Sequence, residues 1–116
     1  MSEKIPVRQK NTPESPELTP DMQEFYERAD DFINLANGMQ NADIHAGKIN
    51  ASMLYATARF SAWTAANGFV KGSDYAKEKA DIVAHFTKNF EKMLADNIDN
   101  YAENFQEYMQ IGKDSK

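Results

Sequence analysis

At 116 residues the chain has room for one domain, and a make-up of 41% apolar, 27% charged and 11% aromatic residues makes that domain globular, not fibrous or unfolded. Thirteen basic against eighteen acidic residues leave a net charge of −5, and the absence of cysteine removes disulfides, thiolate metal sites and cysteine nucleophiles. The longest unbroken apolar run, residues 53–56, is far too short to span a membrane, and no segment gathers the lysines and arginines that nucleic acid or an anionic membrane surface requires.

All four prolines, Pro6, Pro13, Pro16 and Pro20, fall within the first twenty residues, and no aromatic residue precedes Phe25. Such a stretch cannot bury enough apolar surface to offset its ordering entropy, so residues 1–18 are expected to form a mobile, extended tail ahead of a single helical domain at 19–111. Pro13-Glu14-Ser15-Pro16 has PxxP spacing and reads as solvated leader, not as a recognition motif. The leader holds no apolar run of the secretory kind, and a cytoplasmic protein is expected.

The first helix has a sharp start. Thr19 is a natural N-cap, Pro20 suits the first helical position, and Asp21 favours the positive end of the helix dipole. Met22, Phe25, Tyr26, Ala29, Phe32, Ile33 and Ala36 recur at steps of three and four and form one apolar stripe. Asn37-Gly38-Met39 is expected to close the helix, with Gly38 in the left-handed position. A loop over 39–47 follows, ended by Gly47.

The second helix is predicted over about 48–67 and differs in kind. Arg59 is its single charge between Ile49 and Val70, and apolar or small residues occupy nearly every face. Such a helix is expected at the centre of a fold, covered from more than one side. Asn67-Gly68-Phe69 repeats the closing pattern of the first helix without amounting to an internal repeat.

Ser73 is expected to cap a third helix whose stripe of Tyr75, Ile82, Val83, Phe86, Phe90, Met93 and Leu94 continues through Ile98, Tyr101, Phe105, Tyr108 and Met109. Unbroken, 73–110 would reach about 57 Å. Asp96-Asn97-Ile98-Asp99-Asn100 is rich in poor helix formers that cap well, which predicts a break or kink there and a shorter fourth helix over about 98–110. No segment alternates with period two. The fold class predicted is all-α: an up-down bundle of three long helices plus a shorter C-terminal one.

Three blocks, Phe25 to Asn37, Met53 to Phe60 and Met93 to Tyr101, together resemble a family of small proteobacterial proteins classed only as a domain of unknown function. The resemblance spans about residues 22–110. It implies a bacterial, mainly helical, single-domain protein and carries over no activity and no site residue.

Five features could carry chemistry. Arg59, if buried on its apolar helix, needs a carboxylate partner; Glu27, Asp30 or Asp31 could supply one, and an interhelical ion pair is the plainer reading against an anion clamp. Asp81 and His85 share a helical face with Glu78 one turn earlier, a spacing that can hold a metal or share a proton, but surface charge is the plainer reading by a wide margin. His45, near Asp43, is expected as an exposed loop histidine. Asp96, Asp99, Glu103 and Glu107 form an acidic run that reads as a solvated face before it reads as a cation or partner patch. Tyr101, Phe105 and Tyr108 must be covered by the bundle or by another subunit. No phosphate loop, serine-hydrolase elbow or zinc-protease signature is present.

No catalytic, cofactor-binding or metal residue is assigned, and no cofactor is expected. The reading is a non-catalytic interaction protein, as a homo-oligomer or with an unknown protein partner. A small-ligand or metal-binding protein, or an enzyme using Arg59 or the Asp81/His85 pair, is the alternative.

Overall fold

The computed structural model describes residues 18–109. The proline-bearing leader with its PxxP pattern, and the end of the chain from residue 110, lie outside the described residues. Five helices follow in order: α1 (Pro20–Met39), α2 (Ala46–Ala66), α3 (Gly72–Lys77), α4 (Lys79–Glu103) and α5 (Phe105–Met109). The fold is all-α, with no strand among the described residues. The short C-terminal helix is Phe105–Met109 where the sequence predicts one over 98–110, the long third helix begins at Lys79, and α3 is an additional short turn of helix. No helix among the described residues is long and apolar enough to cross a membrane.

The start of α1 is the local chemistry of its first residues. Thr19 Oγ1 accepts the Met22 N–H at 3.1 Å, Pro20 takes the first position, and Asp21 stands in the first turn. The end of the helix differs from expectation. Gly38 lies inside α1, and the chain leaves the helix at Gln40 in an extended conformation, φ −74° and ψ 138°. The left-handed glycine cap is therefore not used.

Asn41 organises the loop that follows. Its Oδ1 accepts the N–H of Asp43 at 2.8 Å and of Ile44 at 2.9 Å, the side-chain mimic of a backbone turn. α2 then begins earlier than predicted, because His45 supplies the cap: its Nδ1 accepts the Gly47 N–H at 3.1 Å. A Cβ on residue 47 would lie 3.2 Å from His45 Cε1 and 3.3 Å from Nδ1, so this close approach favours glycine inside the first turn.

The chain divides into two compact units, one ending at Leu54 and one beginning at Tyr55, with the boundary inside α2. In the first unit Asp30 and Ala36 on α1 and Ile49 on α2 are buried. In the second unit no described residue is buried. The shelter predicted for the helix at 48–67 is not found at its two largest side chains: Phe60 is 65% and Trp63 is 58% exposed. The sequence shows that these faces need cover; it does not say that the same chain provides it.

In the second unit, the turn after α2 is closed by the N–H groups of Gly68 and Phe69 donating to Ala65 and Ala66 at 3.1 and 3.0 Å. The Tyr75 hydroxyl donates to the Ala62 carbonyl at 2.8 Å, and its ring lies 5.5 Å from that of Phe69, which fixes α3 against the end of α2. Lys71, not Ser73, is the N-cap residue of α3, and no side chain caps it. The long C-terminal stripe breaks twice, at Glu78 (φ −93°, ψ 8°) and at Asn104 (φ −120°, ψ 30°). The break predicted at 96–100 is absent. Asn97 turns its Nδ2 back onto the Met93 carbonyl at 2.7 Å, and Lys92 donates to Asp96 at 2.9 Å, so residues that could have capped an end instead sit within a continuous α4.

Candidate functional site

In the second unit an open groove of about 380 Å³ lies between the last turns of α2 and the first turns of α4. Thr64 and Ala65 line it from α2; Asp81, Ile82, His85 and Phe86 line it from α4. Its existence follows from sequence period. Ile82 and Phe86 form the edge of the α4 stripe that turns toward α2, and both are half-buried. Asp81 and His85 are one residue back on the same turns, so they stand at the exposed rim.

The predicted Asp81/His85 pair is thus placed in one groove. Glu78 does not join it as a member of the same helix, since it forms the junction between α3 and α4. The His85 ring packs edge-on against Phe86 at 5.1 Å, and His85 Nε2 lies 3.4 Å from Asn89 Nδ2. The Thr64 hydroxyl donates to the Ser61 carbonyl at 2.9 Å. Among the described residues no three histidines and carboxylates converge to hold a metal ion. What the groove offers is an apolar floor of Ala65, Ile82 and Phe86 with one carboxylate and one imidazole at its edge.

The other predicted residues have local roles. Arg59 is exposed, and its Nη1 donates to the Tyr55 hydroxyl one turn earlier at 3.5 Å. The burial that would have demanded a carboxylate is absent. His45 is exposed and caps α2. Asp96, Asp99 and Glu103 lie on α4, and Glu107 lies beyond the Asn104 break on α5. The Lys92–Asp96 ion pair has side chains 79% and 64% exposed, which leaves it weak.

Tyr101 and Tyr108 pack edge-on at 4.9 Å across the α4–α5 corner and are half-buried, while Phe105 is 50% exposed. Burial raises the Tyr101 phenol above its ordinary pKa, and the neighbouring Tyr108 adds to the rise. Sequence reasoning missed Thr64 and Ala65 as groove walls and Tyr75 as the tether to Ala62. A lone tyrosine after a glycine-closed helix end is the only signal that pointed to the tether.

Long amphipathic helices and an open groove with an apolar floor define a small all-α protein. The chain belongs to the family described as protein of unknown function (DUF3144), whose model matches residues 25–102, from early α1 to the last turn of α4. No curated protein and no solved structure matches it.

Proposed function

We propose that this protein is a non-catalytic interaction module that associates with itself, its helices packing as an up-down bundle only once a second copy supplies the missing cover. One observation carries the reading. Among the described residues Ala36 and Ile49 are the only buried apolar side chains, while eighteen large ones, Phe32, Leu35, Phe60, Trp63, Phe90 and Ile98 among them, are exposed. Burying a side chain of this size contributes about 1.5–3 kcal/mol, and most helical stability in proteins comes from packing an amphipathic face. Exposed apolar surface on this scale marks an interaction face.

Association coupled to folding makes stability depend on concentration. The thermal midpoint of the chain, followed by circular dichroism over a hundredfold range of protein concentration, rises with concentration on this reading. A midpoint that stays fixed counts against self-association.

A second reading has one observation behind it: the groove places Asp81 and His85 together above an apolar floor. As a ligand or metal site it predicts weaker divalent-metal retention in His85→Ala than in the parent chain; equal retention removes it.

A further inference from the structure

The self-association proposed above leaves open which face meets which, and α4 carries enough detail to choose. Its apolar stripe has two edges. Ile82 and Phe86 turn into the groove beside α2 and are half-buried. Val83, Phe90, Leu94 and Ile98 lie on the other edge and are 54%, 45%, 47% and 58% exposed. At steps of seven, four and four these four share one side of an uninterrupted helix of 25 residues, about 37 Å long.

This open edge is graded in size. Its N-terminal half is Ala80, Val83, Ala84 and Thr87; its C-terminal half is Phe90, Leu94, Ile98 and Tyr101. Two copies laid parallel would set small residues against small ones and leave voids, then crowd large against large. Laid antiparallel about a point between residues 90 and 91, three of the smaller residues meet larger ones, Ala80 of one copy opposite Tyr101 of the other, Val83 opposite Ile98 and Thr87 opposite Leu94, while Ala84 faces Asn97. Phe90 packs near its own copy at the centre. Interdigitation of large with small is what close packing of helices requires.

Charge runs the same way. Residues 79–92 hold Lys79, Lys88 and Lys92 against Asp81 and Glu91, whereas 93–103 hold Asp96, Asp99 and Glu103 with no base. The last turn of α4 carries no base to balance its dipole. Side-chain charge and macrodipole therefore add to make one end of the rod positive and the other negative, and opposite ends attract only in the antiparallel arrangement.

We infer that the open edge of α4 is the seam of a two-fold symmetric dimer in which α4 pairs antiparallel with α4 of a second copy. This rests on the self-association reading and adds its geometry. The cysteine-free chain allows a direct test. Lys88→Cys and Glu103→Cys, both at exposed positions, are prepared separately, spin-labelled and measured by pulsed dipolar resonance. In the antiparallel pair the two copies of residue 88 lie about 8 Å apart along the helix axis and those of residue 103 about 38 Å apart. A short distance at 88 with a much longer one at 103 supports the seam.

Equal distances at the two positions would mean a parallel pair, and a dimer with long distances at both would mean that the copies meet elsewhere. Either result overturns the seam while leaving self-association standing. Absence of any dipolar coupling, with a monomer mass by light scattering, overturns both.

Discussion

α1 and α4 are both long amphipathic helices, yet they are held in different ways. α1 is defined at its start by three neighbouring residues, Thr19, Pro20 and Asp21, and it buries Asp30 and Ala36 against its own surroundings. α4 is longer, has no side-chain cap at Glu78, and buries no residue. Local chemistry explains where α1 starts. α4 runs on for 25 residues with the Lys92–Asp96 and Asn97–Met93 hydrogen bonds inside it, although acids and no base stand at its negative end. α4 keeps its apolar stripe over that length, and Val83, Phe90, Leu94 and Ile98 on it are exposed.

Substitutions in the two helices should differ in effect, the largest in α4. Phe90→Glu places a charge at the centre of the α4 seam, where each copy would have to bury it; association should weaken about a hundredfold, roughly 3 kcal/mol, read by sedimentation. An unchanged association constant would break the distinction between the two helices. Thr19→Ala removes the α1 cap and should cost about 1 kcal/mol of stability without altering oligomer mass, while Glu78→Ala, which removes no cap hydrogen bond, should cost a fraction of that in thermal melts.

Lys92→Ala deletes an exposed ion pair within α4 and should cost under about 0.5 kcal/mol, an effect that fades in high salt. The smallest effect concerns Tyr101. Its phenol pKa is raised in the fold, mainly by burial, so its contribution to stability is complete below the unfolded value near 10 and is lost as pH rises through the folded value. An ultraviolet difference titration of the chain against Tyr101→Phe should show late ionisation that persists, somewhat reduced, in Tyr108→Phe; loss of the whole shift in Tyr108→Phe would mean that burial is not the main cause.

The same contrast explains what was legible in the sequence. The Thr19–Asp21 start was readable because every group involved lies within one turn. The all-α class was readable because the apolar period persists through three helices. The Asp81/His85 juxtaposition was readable because a helix places residues four apart on one face.

The misreadings share another cause. Asn97 and Asn104 are good caps by composition, but each folds its amide back onto the carbonyl four residues earlier, and only Asn104 marks an end. Gly38 and Gly47 resemble terminators, yet one continues α1 and the other admits the His45 ring into the first turn of α2. The helix at 48–67 is expected to be covered because it is apolar or small on nearly every face, yet Arg59 and Trp63 on it are exposed. Composition specifies that a face needs cover, not which chain supplies it.

Sedimentation equilibrium of the intact chain tests the central claim most directly. The account predicts a mass twice the 13.2 kDa of the single chain at micromolar concentration, falling toward the single-chain value in Phe90→Glu. A folded 13.2 kDa monomer that persists to millimolar concentration would contradict it.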